Sequence, residues 1–218
     1  MKRLRNQYRN SDKKIRFYAC GEYGEDQNIL TTQTLGRPHY HAILFNHDFA
    51  DKTLLRTTDN GNLFESENLT KLWGMGHTSL AECSFATAAY VARYCMKKIT
   101  GDDAEEHYQR VNETTGEITN IKPEFSTQST KPGIGATWFE KYKSDCDKGY
   151  ITEKGQKLPA PKYYKYLYEK YDDEKFMFVK RIWENNRPEK TRDDELDRLR
   201  VREQCKINQT KTLKRKLA

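Results

Sequence analysis

Hydrophobic and polar positions alternate in two segments of the first fifty residues, and this alternation predicts a pair of strands. Residues 14–22 alternate and are rich in aromatic side chains, and Pro38–Phe45 does the same until Asn46 ends it. Short alternating runs of this composition are typical of half-buried strands. Residues 23–36 are rich in Gly, Asn, Thr and Gln, so we expect a hairpin loop that pairs the two strands antiparallel.

Helical patterns dominate the rest of the chain. Residues 85–99 form the strongest one, because they are rich in Ala, lack Gly and Pro, and carry two lysines before Gly101. Residues 101–122 are very polar and contain a turn sequence at 112–116, which predicts a hairpin or insertion. Weaker patterns predict a basic helix at 2–10, a helix at 67–73, a strand at 77–83, a helix near 138–146, a hairpin at 150–157, an aromatic helix at 163–175 and one long charged helix beyond it.

The composition is polar but leaves room for a core. Mean hydropathy is −1.03, yet 14 Tyr, 9 Phe and 3 Trp supply aromatic mass for a modest interior. No apolar run approaches the ~18 residues that a membrane span requires, and no secretory signal opens the sequence. The five cysteines are scattered without a C-x-x-C pair, which argues against a disulfide framework or a zinc finger. We therefore expect a cytosolic, reduced protein.

Positive charge is concentrated at the two ends of the chain. The net charge is +7, with seven basic residues and one acidic residue in residues 1–16 and five basic residues without an acid in residues 206–218. Basic ends around a mildly acidic middle favour a polyanionic partner. Ends that only keep the chain in solution would show the same pattern, so charge alone does not decide between these interpretations.

Two histidines in the second predicted strand suggest a metal site. Side chains alternate along a strand, so His39 and His41 share one face, about 7 Å apart. The predicted hairpin brings Glu22 across from them. Two imidazoles and one carboxylate can hold a divalent metal and leave coordination sites open for substrate. By itself an H-x-H pair is more often two histidines facing solvent.

The strongest predicted helix carries a pair of candidate nucleophiles. Tyr90 and Tyr94 are four residues apart and therefore lie on one face. Lys97 and Lys98 follow at three and four residues, so that an ammonium group reaches the same face. A tyrosine attacks phosphorus when its proton is removed or positive charge stabilises its oxygen. An aromatic pair packed on the core is the competing interpretation.

Three motifs in order carry a resemblance to a known family. Residues 21–25 read Gly-Glu-Tyr-Gly-Glu, residues 36–45 contain both histidines, and residues 89–98 contain both tyrosines. They resemble the replication initiators of small single-stranded DNA phages, most closely the gokushovirus branch of the Microviridae. These initiators belong to the two-tyrosine type of the HUH endonuclease superfamily. Further similar segments, at 122–126, 131–135 and 161–164, extend the resemblance over roughly residues 2–168.

The resemblance implies an α+β fold. An antiparallel sheet of the HUH type, with flanking helices, would carry the metal site on one face with the tyrosine helix packed nearby. Family members begin with a further segment, and residues 1–5 match the helix at its end, so we expect the first central strand to be missing. We expect an HUH endonuclease-like domain at residues 1–165, with a polar insertion at about 101–121, and a charged, basic-ended helical tail at 166–218.

The same resemblance implies rolling-circle DNA replication assisted by Mg²⁺ or Mn²⁺. One tyrosine would attack a phosphodiester at the origin, keep the 5′ phosphate covalently and release a 3′ hydroxyl that primes synthesis. The implied partners are single-stranded origin DNA and the host helicase and polymerase, in the host cytoplasm and away from membranes. Two alternatives stay open: an inactive or regulatory DNA-binding fragment, and an HUH relaxase or transposase of a mobile element.

Overall fold

Helices and antiparallel strands are mixed along the whole chain, which confirms the predicted α+β class. The computed structural model describes residues 1–24, 38–58, 61–94, 98–112, 114–185 and 191–212. Two units with separate internal packing divide at one point: the first contains Met1–Ser129 and the second begins at Thr130. None of the helices in these described ranges combines the length and the apolar character that a membrane span needs.

A three-stranded antiparallel sheet organises the first unit. Strand β1 (Arg16–Tyr23) lies at its centre, between β2 (Pro38–Phe45) and β8 (Phe125–Gln128). The two predicted strands are therefore confirmed and paired antiparallel, while most of the predicted hairpin loop, residues 25–37, lies outside the described residues. Register places Glu22 opposite His39 and Cys20 opposite His41. Since directly opposite residues share a face, these four side chains lie on the same side of the sheet.

Helix α3 packs on that sheet against β1 and β2. It spans Phe85–Arg93 and starts at Ser84, whose hydroxyl accepts from the Thr87 amide while the Thr87 hydroxyl accepts from the Ser84 amide. The predicted end at residue 99 is wrong. The described helix stops at Arg93, residues 95–97 lie outside the described part, and residues 98–100 are not helical.

The other elements of the first unit surround this sheet. Helix α2 begins after the Ser66 cap and ends at Gly74, which takes a left-handed conformation with φ 68°. The predicted strand at 77–83 is reduced to two residues, and the β3–β4 hairpin escaped prediction because a bulge between Leu54 and Arg56 breaks its alternation. The elements are α1 (Lys2–Gln7), β3 (Thr53–Thr58), β4 (Gly61–Glu65), α2 (Glu67–Trp73), β5 (Leu80–Ala81), α4 (Asp103–Tyr108), β6 (Gln109–Val111) and β7 (Ile118–Asn120), of which β6 and β7 form the predicted polar hairpin.

The second unit is mainly helical. Its core contains Phe139, Cys146, Leu167, Tyr168, Phe176 and Val179. Helix α5 is followed by a 3-10 turn at Lys143–Cys146, and a second 3-10 turn at Arg192–Asp194 interrupts the long helix predicted for the tail. The elements are α5 (Ala136–Tyr142), β9 (Tyr150–Glu153), β10 (Gln156–Pro159), α6 (Lys162–Tyr171), α7 (Asp173–Asn185) and α8 (Leu196–Thr212).

The units divide at a different place from the predicted domain boundary. The expected junction at 165/166 falls inside α6, whose Leu167 and Tyr168 are buried in the core that α5 and α7 also form. The aromatic helix predicted at 163–175 also ends early, because the Asp172 carboxylate accepts from the Lys175 amide at 3.0 Å and caps a new helix. The first part of the predicted tail is therefore core structure of the second unit.

Candidate active site

Glu22 and His41 form the centre of the candidate site. Glu22 comes from β1 and is only 6% exposed, and His41 comes from β2 and is partly exposed. The Nε2 atom of His41 lies 3.1 Å from the Oε1 atom of Glu22, within hydrogen-bonding distance. Desolvation of a carboxylate is costly without a partner. The imidazole provides that partner, so the two side chains hold each other in place.

His39 lies on the same face but does not complete the cluster. It is exposed, and its ring packs against Gly24, where an added Cβ would come within 2.7 Å of the imidazole. The predicted convergence of the three side chains is therefore found for Glu22 and His41 and not for His39. Across the described ranges, no three His, Cys, Asp or Glu side chains are grouped closely enough to hold a metal ion.

The donor chemistry nevertheless fits a divalent metal at two of its three positions. Bonds from a metal to imidazole nitrogen or carboxylate oxygen are about 2.0–2.2 Å long, so donor atoms 3.1 Å apart can bind the same ion. Imidazole with carboxylate suits Mn²⁺ and similar ions. His39 would have to turn away from Gly24 to become the third ligand.

Helix α3 brings both tyrosines to this pair, as the helical spacing predicted. The Tyr94 ring stacks on the His41 imidazole, with centroids 4.2 Å apart and planes 10° apart. The Tyr90 ring meets the same imidazole at its edge, at 6.1 Å. The Tyr94 hydroxyl donates a hydrogen bond to the Tyr90 hydroxyl oxygen. Both phenols, the imidazole and the carboxylate therefore belong to one cluster.

The two tyrosines differ in accessibility. Tyr94 is 5% exposed, and burial raises its pKa well above the ordinary range, with further contributions from its hydrogen bond to Tyr90 and from the Glu22 carboxylate. Tyr90 is only partly buried and accepts the Tyr94 proton in a hydrogen bond. A phosphodiester approaching from solvent therefore meets the Tyr90 oxygen more readily than the Tyr94 oxygen.

The basic residues near the tyrosines differ from those predicted. Lys97 lies outside the described residues, and Lys98 is exposed beyond the helix, with no hydrogen bond or ion pair to the described part of the chain. The helical argument for Lys98 is therefore wrong, because the described helix ends at Arg93. The Arg93 guanidinium instead lies 5.8 Å from the centre of the Tyr90 ring. Its position three residues after Tyr90 was a signal in the sequence that pointed to this contact.

Cys20 is a second residue that sequence reasoning missed. Its side chain is 1% exposed, directly opposite His41 in the sheet, and its thiol donates to the Val91 carbonyl at 3.6 Å. This contact ties β1 to the middle of α3. It therefore fixes the helix that carries both tyrosines over the strand that carries Glu22.

Comparisons with known proteins agree with the location of this site. Residues 1–99 match a family model described as Replication-associated protein ORF2. The chain is 30% identical over 165 residues to "Replication-associated protein VP4" of Bdellovibrio phage phiMH2K, which covers 74% of this chain and 45% of that protein. It is 27% identical over 158 residues to "Replication-associated protein ORF2" of Spiroplasma virus 4, covering 69% of this chain and 42% of that protein.

The chain thus spans less than half the length of these two relatives. No solved structure matches it significantly. The segment that matches the family model begins before β1 and ends after α3, so it contains every described side chain of the Glu22, His41, Tyr90 and Tyr94 cluster. The chain belongs to the family of replication-associated proteins of the ORF2 type.

Proposed function

We propose that this protein initiates replication of a small phage genome by nicking and rejoining single-stranded origin DNA through a 5′-phosphotyrosine intermediate. One observation carries the proposal: two tyrosine hydroxyls joined by a hydrogen bond lie beside a histidine paired with a buried carboxylate. The names of the two relatives, both replication-associated proteins, support the biological role. The proposed setting is the host cytoplasm, with the host helicase and polymerase as later partners.

The chemistry is a transesterification. The Tyr90 oxygen forms a bond to phosphorus while the bond from phosphorus to the 3′ oxygen breaks, so the 5′ phosphate stays on the tyrosine. The proton lost by the tyrosine is balanced by the one that the released 3′ oxygen gains. One ester bond replaces another, so attack by a 3′ hydroxyl on the phosphotyrosine can reseal the strand without a nucleotide cofactor.

The surrounding residues of the chain favour attack by Tyr90. The hydrogen bond from Tyr94 places a donor on the attacking oxygen, where negative charge develops. The Arg93 guanidinium adds positive charge on the same side of the helix. Glu22 and His41, with His39 after it rotates, would hold a divalent ion. That ion would polarise the scissile phosphate.

The difference in burial suggests an order of use. Tyr90 acts first because its hydroxyl is the more accessible, and Tyr94 acts in the following round after the DNA has displaced it from its stacked position on His41. Two phenols that share one site but differ in exposure suit alternating attack, in which one tyrosine holds an old 5′ end while the other cleaves the regenerated origin.

The position of His39 favours one competing function. A regulatory DNA-binding protein that lacks cleavage activity would need neither a complete metal site nor an accessible nucleophile, and here only two of three donors converge. Such a protein would bind origin DNA without forming a covalent adduct. Adduct formation therefore separates the two functions.

The decisive experiment incubates the protein with labelled origin oligonucleotides and Mn²⁺ and looks for a covalent adduct on a denaturing gel. We expect Tyr90→Phe to reduce the first adduct strongly, Tyr94→Phe to permit it but impair repeated rounds, and the double variant to form none. Tyr171→Phe, at a tyrosine that is 70% exposed in the second unit, is the matched control and should behave like the wild type. An adduct formed by the double variant would overturn the proposal.

A further inference from the structure

An exposed aromatic surface lies on the face of the sheet opposite the candidate site. Tyr40 stands between His39 and His41 in β2, so its side chain points to the other face. Its ring lies 5.1 Å from the Trp73 ring and 6.4 Å from the Phe125 ring, measured between centroids. We call Tyr40, Trp73 and Phe125 the aromatic platform.

The platform is open to solvent although its members are large and apolar. Tyr40 is 52% exposed and Phe125 is 48% exposed. The Phe125 ring lies against Gly21, where an added Cβ would come within 2.5 Å of a ring carbon. Glycine therefore gives the ring a close seat on the central strand while the rest of the ring remains accessible. Exposed aromatic groups brought together from β2, β8 and the end of α2 indicate a binding surface.

Positive charge borders the platform. Arg3 of α1 donates to the Leu72 carbonyl at 3.4 Å, beside Trp73, and the Arg5 guanidinium lies 5.0 Å from the centre of the Phe17 ring on the platform face of β1. Helix α1 contains no acidic residue.

Two acidic residues next to platform strands do not oppose this charge. Glu22 points to the opposite face, and Glu124 is 8% exposed and accepts a hydrogen bond from the Tyr108 hydroxyl. Aromatic rings beside arginine, with these carboxylates buried, form the kind of surface on which bases stack while phosphates meet cations.

We propose that the aromatic platform binds single-stranded DNA by stacking its bases on Tyr40 and Phe125, with the phosphates held by the arginines of α1. The choice of DNA as the occupant rests on the proposed function. A strand held on this face would be retained by contacts separate from the tyrosines that cleave it. Its binding would depend weakly on sequence, because every base offers a π face.

The first measurement needs only the wild-type protein. Its affinity for a fluorescently labelled twelve-nucleotide thymidine strand is compared with its affinity for a strand of equal length whose residues are abasic, by anisotropy at fixed salt and without divalent metal. Phosphate charge is the same in both, so the difference measures contacts with bases. We expect the thymidine strand to bind at least about fivefold more tightly. Equal affinities would overturn the proposal.

Variants then locate the base contacts. Tyr40→Leu and Phe125→Leu keep apolar volume without a π face, and each should bring the affinity for the thymidine strand toward that for the abasic strand. Tyr40→Phe keeps the ring and should retain the preference. Tyr171→Leu and Phe178→Leu change exposed aromatic residues of the second unit, 70% and 64% exposed, and are the matched controls. Circular dichroism and thermal melting confirm that each variant is folded.

Two results would contradict the platform while leaving the nicking function intact. In one, the platform variants weaken binding of both strands equally. In the other, they change the oligomeric state and leave the base preference unaltered, which would identify a contact between copies. Adduct formation provides the separation: an adduct with an unchanged base preference rejects only the platform, and a lost base preference without any adduct rejects only the nicking function.

Discussion

Glu22 shows how one residue can couple the chemistry of the candidate site to its geometry. Its carboxylate is buried and lies 3.1 Å from His41, and it also raises the pKa of Tyr94, after the larger effects of burial and the Tyr90 hydrogen bond. A negative charge in this position therefore opposes ionisation of the stacked tyrosine. A cation bound between Glu22 and His41 would offset that charge, which links metal binding to use of the second nucleophile.

Variants at the three predicted ligands should not be equivalent. We expect Glu22→Gln and His41→Ala each to lower the rate of Mn²⁺-dependent adduct formation by about a hundredfold or more, because these donors are already in place. His39→Ala should have a smaller effect on Mn²⁺ affinity than His41→Ala, since His39 must first leave Gly24. The double histidine variant should lose cleavage yet still bind single-stranded DNA.

Titration calorimetry with Mn²⁺ measures the affinities, and the gel assay measures the rates. His77→Ala, at an exposed histidine of the same unit, is the control and should leave both unchanged. Cleavage by the double histidine variant at the wild-type rate would reject these residues as ligands.

Residue positions on the sheet were predictable, whereas side-chain directions were not. The alternation of residues 38–45 correctly placed both histidines on one face and Tyr40 on the other. The direction of the His39 ring depends on its contact with Gly24 in a neighbouring strand segment, and periodicity contains no information about such a contact. The metal function of these residues remains a prediction.

At the scale of elements, α3 determines which charges can reach the tyrosines. Its sequence lacks helix breakers through residue 99, but the described helix ends at Arg93. Arg93 therefore replaces the exposed Lys98 as the basic residue beside Tyr90. Propensity predicted the start of the helix well because Ser84 and Thr87 form a local cap, whereas the end depends on longer-range packing.

Helix α8 leads to the basic end of the chain and permits a test of nonspecific DNA affinity. Deleting residues 206–218 removes five basic residues and begins in an exposed stretch of the helix. If these residues bind phosphates on a single strand, the slope of log affinity against log salt should fall by roughly 0.7 for each phosphate that the deletion leaves unbound. Anisotropy titrations at several salt concentrations measure the slope.

A charge-matched control comes from the same helix. Arg198 and Arg202 pair with Asp193 and Asp194 at 3.1 and 3.2 Å, so changing both arginines to Gln removes charges that already have partners. That variant should retain the wild-type slope. An unchanged slope after the deletion would show that the basic end does not contact DNA.

At the scale of the whole molecule, the division of the chain follows buried contacts and not composition. The charged sequence after residue 165 predicted a tail, but α6 and α7 supply Leu167, Tyr168, Phe176 and Val179 to the core of the second unit. Apolar positions widely spaced among charges become a core only when α5 packs against them, and the sequence pattern of one helix does not reveal its partner. The α+β class, in contrast, followed directly from local periodicity.

The core of the second unit provides a prediction about stability. Phe139 is 4% exposed and packs edge-on against Tyr168, with ring centroids 4.7 Å apart. Phe139→Ala should reduce the free energy of unfolding of this unit by about 3–5 kcal/mol, because it removes apolar burial and leaves a cavity. Urea titration followed by tryptophan fluorescence measures the change, since Trp138 and Trp183 both pack against this core.

The same variant tests whether the candidate site depends on that core. Every described side chain of the site belongs to the first unit, so we expect Phe139→Ala to form the Tyr90 adduct at close to the wild-type rate in the absence of denaturant. Phe178→Ala, at a residue that is 64% exposed on α7, should change neither stability nor adduct formation and serves as the control. A variant whose second unit stays folded by fluorescence but whose adduct is lost would show that the site requires the intact core of the second unit, and the assignment of the chemistry to the first unit alone would then be wrong.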